Sequence, residues 1–159
     1  MKELLIRKTT PDDCALILEF IKELAVYEKL LHTVENTEEQ LKENLFGNQP
    51  VAEVIFAVYQ GKEVGFAVFF KNYSTFTGRP GLYLEDLYIK EEFRGKGIGK
   101  EMLVYLAKTA VERNYARFEW VVLDWNEPAI NFYKSIGADI LDEWLINRLS
   151  GNALKKLAM

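Results

Sequence analysis

The spacing of apolar residues changes along the chain and predicts a mixed α/β fold. Residues 3–10 have the short apolar run of a first strand, and residues 10–30 and 36–47 have the three- and four-residue spacing of amphipathic helices. The second helix has a cap residue before its acids and a glycine at its end. Residues 53–74 form two β-rich runs joined at "QGKE", which is a hairpin signal.

The second half of the chain predicts further alternation of strands and helices. A third β-rich run covers residues 81–93, a strong amphipathic helix 99–114, and a buried strand 116–125. A helix that starts at Asn126 and Pro128 follows, and the end of the chain predicts a last strand and a helical turn, over the ranges 126–137, 143–150 and 152–159. This order predicts a mixed, mostly antiparallel sheet with helices on both faces. No linker or repeat interrupts it, so we expect a single domain over residues 1–159.

The charge balance narrows the class of partner. The chain has 159 residues, of which 49% are apolar, and its 20 Lys and Arg residues against 24 Asp and Glu residues give a net charge of −4. Because proteins that bind nucleic acids usually have a basic surplus, we expect no nucleic acid partner. A cationic substrate fits the balance better. With no apolar block of a signal peptide and no run of membrane-spanning length, we expect a cytoplasmic protein without a membrane partner.

One cysteine and one histidine leave little basis for thiol or metal chemistry. Cys14 lies among helix-spaced apolar residues, so we expect a small buried hydrophobe rather than a reactive thiol. His32 has no second histidine or cysteine pair to join it. The sequence therefore predicts no metal site.

The stretch "RGKGIG", residues 94–99, leads into the predicted helix 99–114 and suggests an anion site. The unpaired N–H groups at the start of a helix attract anions, and Arg94, Lys96 and Lys100 add positive charge. The G-x-G-x-x-G pattern of dinucleotide sites fails because Lys100 takes the place of the third glycine. The triphosphate pattern G-x-x-x-x-G-K-[ST] fails as well, because Glu101 follows Lys100. At this point a tight turn without a ligand remains the alternative.

This stretch resembles the R-x-x-G-x-G loop that binds the pyrophosphate of coenzyme A in the GNAT superfamily of N-acetyltransferases. Three other blocks, residues 13–28, 82–89 and 125–138, resemble the spermidine/spermine (diamine) N-acetyltransferases, in that family's order. The resemblance implies the GNAT acyltransferase fold, whose sheet is splayed between the strand of residues 82–89 and the strand of residues 116–125. Acetyl-CoA would lie in that gap as co-substrate, without a metal. The resemblance also implies a homodimer.

The resemblance assigns the proton transfers to two residues. It implies that the amine attacks the thioester directly, which needs no nucleophilic side chain. Tyr133 matches the tyrosine that gives a proton to the departing thiolate, and Glu85 matches the glutamate that takes the proton of the amine through water. Taken on its own, Tyr133 would be a packed helix aromatic and Glu85 the exposed end of a strand.

The resemblance also implies two sets of binding residues. The implied coenzyme A contacts are Leu87, Tyr88, Ile89, Arg94, Gly95, Lys96, Gly97, Ile98, Gly99, Lys100, Trp120, Val121, Asn126, Pro128, Ala129 and Tyr133. The implied amine contacts are Tyr27, Glu28, Glu85, Asp86, Asp142 and Glu143. Asp86, next to Glu85, is a weaker candidate for contact with the substrate and is expected on the opposite face of the strand. The family usually has a glycine between the last glutamate and the tryptophan, and Glu143 directly precedes Trp144 here, so the register of that contact stays open.

Three interpretations of the function follow. The leading one is acetylation of a small diamine or polyamine. The alternative is acetylation of an amino-acid side-chain amine such as thialysine or lysine, whose carboxylate needs a basic partner, for which Arg79 is a candidate. The third, a non-catalytic acetyl-CoA-binding module, is disfavoured because Tyr133 and Glu85 are both present.

Overall fold

Five strands form one sheet whose order follows their order along the chain. The computed structural model describes residues 3–159. Its elements are β1 (Leu4–Lys8), α1 (Cys14–Tyr27), α2 (Glu38–Phe46), β2 (Glu53–Tyr59), β3 (Lys62–Ser74), β4 (Arg79–Ile89), α3 (Ile98–Glu112), β5 (Phe118–Trp120), α4 (Glu127–Ser135) and α5 (Gly151–Leu157). Neighbouring strands from β1 to β4 are antiparallel, and β5 is parallel to β4. This arrangement confirms the predicted mixed, mostly antiparallel sheet.

Local sequence signals account for several of the element ends. The β2–β3 turn has positive φ at both Gln60 (52°) and Gly61 (77°), as the tightest hairpin turns require, and Tyr59 pairs with Lys62. At the start of α2, the hydroxyl of Thr37 accepts a hydrogen bond from the Gln40 backbone N–H (3.2 Å). The Gln40 side chain in turn accepts one from the Thr37 backbone N–H (3.0 Å). These contacts confirm the predicted hairpin and cap.

Aromatic residues form the centre of the core between α1 and the sheet. The ring of Phe20 lies 5.3 Å from that of Phe56 and 5.4 Å from that of Phe66, and all three side chains are fully buried. Ile55 and Ala67 alternate with these strand positions and are also buried. Since α3 contacts β1, β3 and β4, the sheet is covered on both faces. Cys14 is buried in the same core, as predicted.

The chain divides into two compact units, the first ending at Val121 and the second comprising Val122–Met159. The single domain over residues 1–159 stays a prediction.

Two predictions about strands are corrected. The strand predicted over 116–125 is limited to Phe118–Trp120 and is half-buried, because it pairs with only three residues of β4. The strand predicted over 143–150 is wrong: these residues form no strand, and the chain remains irregular until α5 begins.

Two features of residues 3–159 concern membranes and metals. None of the helices there combines the length and apolar character needed to cross a membrane. No group of three or more His, Cys, Asp or Glu residues in this part of the chain has an arrangement that could hold a metal ion.

Candidate active site

The sheet opens between β4 and β5 after one short parallel segment. The two strands pair from Leu82 with Phe118 to Leu84 with Trp120, and β4 then continues to Ile89. Within residues 3–159, no strand pairs with this last part of β4 on the β5 side. The opening lies between the two segments where the sequence predicts the gap.

A β-bulge in β4 marks the place where the sheet opens. In the β3–β4 pair, Phe69 is opposite Leu84 and the next residue back, Val68, is opposite Asp86, so Glu85 has no counterpart. An extra residue of this kind bends its strand and redirects nearby side chains. The regular alternation that predicts Glu85 and Asp86 on opposite faces therefore does not hold at this point.

Three carboxylates from α1 and β4 interact beside the bulge. Glu85 is exposed, whereas Asp86 and Glu28 are half-buried. Burial, reinforced by the nearby charges of Glu85 and Glu28, raises the pKa of Asp86 to about 7. Burial also raises the pKa of the Glu28 carboxyl. We call Glu28, Glu85 and Asp86 the acidic group; it can attract a cation, and one of its members changes charge near neutral pH.

The end of α1 holds Glu28 at a fixed backbone position. The Leu30 N–H donates to the Ala25 carbonyl (2.7 Å) and the Lys29 N–H to the Val26 carbonyl (3.0 Å). This is the hydrogen-bond pattern of a Schellman cap, and Lys29 takes the left-handed conformation that the cap requires, with φ 62°. Glu28 is the C-cap residue of the helix, directly after Tyr27. The helix end thus positions Glu28, a member of the acidic group, and Tyr27 directly before it.

Arg94 is the first residue of the glycine-rich loop, residues 94–99, and contacts both α1 and β4. Its guanidinium carbon lies 4.6 Å from the ring centre of Tyr27 and 5.4 Å from that of Tyr88. Its Nε donates a hydrogen bond to the Ile89 carbonyl (2.9 Å). Sequence reasoning missed these contacts, because residues 27, 88 and 94 come from three separate segments.

The glycines of residues 95–99 have different roles in the loop. Gly95 and Gly97 have φ of 73° and 81°, which disfavour other residues, and Gly97 is the N-cap of α3. At Gly99 a Cβ atom would meet only the Ile89 side chain, at 3.8 Å, an ordinary contact. The fold therefore needs the first two glycines for their conformation, whereas a Cβ at the third would fit without displacing its neighbour. The adjacent Ile98 side chain is buried, so Ile98 can contribute only its backbone to a ligand.

The other residues of the first unit that the resemblance implicates border the opening. Leu87, Tyr88 and Ile89 lie on the part of β4 that extends beyond β5, and all three are half-buried. Across the opening, Trp120 ends β5, and Val121 follows it with 55% of its side chain exposed. Lys96 and Lys100 lie in the loop and the first turn of α3.

The remaining predicted residues belong to the second unit. Asn126 caps α4, since its side chain accepts a hydrogen bond from the Ala129 N–H (3.4 Å), and Pro128 lies in the first turn. Tyr133 is half-buried on the same helix, with its ring 5.6 Å from that of Phe132. Asp142 and Glu143 are exposed in a turn that the Trp144 N–H closes on the Leu141 carbonyl (3.3 Å). Their roles in the site stay predictions.

Arg79 does not lie near the acidic group. It begins β4, six residues before Glu85, which at about 3.3 Å per residue corresponds to roughly 20 Å along the strand. Its side chain donates a hydrogen bond to Asn114 (3.1 Å) at the far end of α3. The suggestion that Arg79 pairs with a substrate carboxylate is therefore wrong on geometric grounds.

Comparisons with known proteins identify similar chains over nearly the whole length. Residues 18–138 match the model of the acetyltransferase (GNAT) family. A thialysine N-epsilon-acetyltransferase of Sus scrofa is 40% identical over 169 aligned positions, covering 99% of each chain. An L-ornithine N5-acetyltransferase of Arabidopsis thaliana, NATA1, is 32% identical and covers 96% of this chain and 86% of its own.

Two further comparisons concern a longer relative and the fold. A spermidine/spermine N(1)-acetyltransferase-like protein of Homo sapiens is 35% identical over 96% of this chain but only 23% of its own length. The solved structure of an integron cassette protein from the mobile metagenome of V. cholerae superimposes with a TM-score of 0.82 at 30% identity, covering 98% of each chain.

Proposed function

The chain belongs to the acetyltransferase (GNAT) family, and from that premise we propose that it transfers an acetyl group from acetyl-CoA to the side-chain amine of a small amino acid of the thialysine or ornithine type. The observation that carries the proposal is the acidic group, Glu28, Glu85 and Asp86, at the bulge where β4 leaves β5. Such a group attracts an ammonium ion. The similarity to relatives named for thialysine and ornithine favours an amino acid over a polyamine.

A diamine or polyamine is the second candidate substrate. The relative named for spermidine and spermine supports it, and so does the acidic group, because a polyamine offers only cations. The two candidates differ in one chemical feature, the carboxylate of the amino acid.

The loop and helix start at residues 94–100 fit the pyrophosphate of acetyl-CoA. The absence of a Cβ at Gly99 would let a phosphate approach the backbone, and the first N–H groups of α3 form the positive end of the helix dipole. Lys96 and Lys100 add positive charge. The exposed edge of β4 over Leu87–Ile89 would hold the pantetheine arm. Acetyl-CoA supplies the thioester whose carbonyl carbon the amine attacks.

Two proton transfers fall to the chain's own residues: one from the amine, and one to the departing thiolate. A primary amine with a pKa of about 10 is neutral to only roughly one part in a thousand at pH 7, so the site must accept a proton before attack. We assign that step to Glu85, which is exposed at the bulge and can work through water. We assign the second step to Tyr133, whose hydroxyl would give a proton to the departing sulfur. Asp86 and Glu28 would hold the cation.

A homodimer, a cytoplasmic location and a single domain complete the proposal. Exposed apolar residues of the second unit support a dimer: Trp144, Leu145 and Ile146 are at least 70% exposed. A monomer mass by light scattering at micromolar concentration would contradict it. The location and the single domain rest on the sequence alone.

The experiment for the proposal is an acetyl-CoA assay that follows free thiol release with a panel of amines. The panel contains thialysine, lysine, ornithine, putrescine and spermidine. We expect the amino acids to have a higher kcat/KM than putrescine and spermidine. Highest kcat/KM with putrescine or spermidine would favour the second candidate, and no thiol release with any of the five would contradict amine acetylation.

A further inference from the structure

Arg94 joins the glycine-rich loop to the two elements that carry the acidic group. Its guanidinium carbon lies over the ring of Tyr27, the last residue of α1, and over that of Tyr88 of β4 (4.6 and 5.4 Å to the ring centres). Its Nε is hydrogen-bonded to the Ile89 carbonyl at 2.9 Å. One side chain thus contacts the helix end that positions Glu28 and the strand edge that follows Asp86.

The contacts of Arg94 require a planar guanidinium rather than just a positive charge. A directed Nε–H bond, made while the same group lies over two aromatic rings, is an arrangement that a lysine ammonium does not reproduce. The Arg94 side chain thus lies along β4 and α1. Its neighbour Lys96 belongs to the same loop and is exposed, which makes Lys96 the matched comparison for charge alone.

We propose that Arg94 is a positioning residue that couples the two substrate sites, so that occupancy of the glycine-rich loop strengthens amine binding at Tyr27 and Glu28, and amine binding strengthens occupancy of the loop. This inference rests on the proposed function. Its physical basis is that a ligand bound to the loop also restricts the Arg94 side chain, and through its contacts with the two rings it restricts the side chains of Tyr27 and Tyr88. The second ligand then binds a site that is already ordered, and its affinity rises. The coupling must be equal in both directions.

The experiment measures binding without turnover. Ornithine is titrated into the protein by calorimetry, alone and with saturating coenzyme A, and the ratio of the two dissociation constants is the coupling factor. We expect the parent protein to have a coupling factor of at least about 5, within the usual range of such couplings. Arg94→Lys should reduce the factor to near 1, a loss of at least about 5-fold, which lies within the roughly 2- to 30-fold that cation–π contacts contribute. Lys96→Gln should weaken coenzyme A binding but keep the coupling factor.

A second pair of variants tests the other partner of the contact. Tyr27→Leu removes the ring and should lower the coupling factor as Arg94→Lys does, whereas Tyr27→Phe keeps the ring and should retain it. Putrescine in place of ornithine serves as the control for direct pairing. If Arg94→Lys affected only ornithine, Arg94 would be binding the substrate carboxylate, and the positioning role would be wrong.

The remaining outcomes separate this inference from the proposed function. A coupling factor near 1 in the parent protein, or one that Arg94→Lys leaves unchanged, overturns the coupling while amine acetylation stands. Failure of the parent protein to bind coenzyme A contradicts the proposed function, and the coupling falls with it. Thermal unfolding of each variant establishes that it is folded, and the Tyr27 pair decides the question if Arg94→Lys is not.

Discussion

Leu84 and Trp120 form the last residue pair that joins β4 to β5, and the next residue of β4, Glu85, is the extra residue of the bulge. A bulge bends its strand, and this bulge lies both where β4 departs from β5 and beside the carboxylates of the acidic group. The opening of the sheet and the acidic group are therefore parts of one arrangement.

Asp86 should make the folded protein less stable as the pH rises. Its pKa is raised to about 7 from an ordinary value of 3.8, so the native state binds its proton more tightly than the unfolded state does. Stability is therefore lost between about pH 4 and pH 7 and the loss is constant above that range. Asp86→Asn should raise the melting temperature, by a margin that grows over this window and then levels off. Asp12→Asn, at an exposed aspartate, is the control for the loss of a carboxylate.

The carboxylates of the acidic group should have different roles: Asp86 and Glu28 should affect amine binding, and Glu85 should affect the chemical step. Asp86 gains its charge as the pH rises through about 7, so the KM for the amine should fall over that range, and Asp86→Asn should flatten the change. Glu28→Gln should mainly raise the KM for the amine. An ion pair away from the reacting nitrogen stabilises the ground state and the transition state alike.

Glu85→Gln should instead lower kcat. Initial-rate measurements from pH 6 to 9 at fixed ionic strength test this, and equal effects of the Glu28 and Glu85 variants on kcat would refute the division.

Tyr133→Phe removes the phenolic proton and keeps the ring. A positioned general acid contributes typically 10²–10⁴-fold, so kcat should fall by about that factor while the KM values change little. Phe132→Leu is the comparison for packing on the same helix, where the two rings lie 5.6 Å apart. Turnover of Tyr133→Phe within a factor of two of the parent would make Tyr133 a packing residue.

Gly99→Ala separates the ligand role of the loop from its folding. Because a Cβ at residue 99 meets only one side chain at an ordinary distance, and alanine favours helices by about 0.5–1 kcal/mol over glycine, stability should not fall. The KM for acetyl-CoA should nevertheless rise, since the methyl group occupies the space for a phosphate. Gly95→Ala is the contrasting variant: it should lose about 1 kcal/mol of stability, because residue 95 has φ of 73°. An unchanged acetyl-CoA KM in Gly99→Ala would argue against the phosphate site.

The sequence predicts best what depends on neighbouring residues. The cap at Thr37 and the turn at Gln60–Gly61 follow from local chemistry, and both are found. The strand predicted over 143–150 fails because an apolar pattern does not supply a partner strand. The contact of Arg94 with Tyr27 and the raised pKa of Asp86 depend on packing between distant segments and on an extra residue in β4, which no local pattern contains.

The most direct measurement compares ornithine with putrescine, which differ only by the carboxylate, in the acetyl-CoA assay at one pH and ionic strength. If the chain acetylates the side-chain amine of an amino acid, kcat/KM should be at least about tenfold higher for ornithine, since one charge-assisted contact is worth about 1.5–3 kcal/mol. A kcat/KM for putrescine equal to or above that for ornithine would contradict the amino-acid assignment.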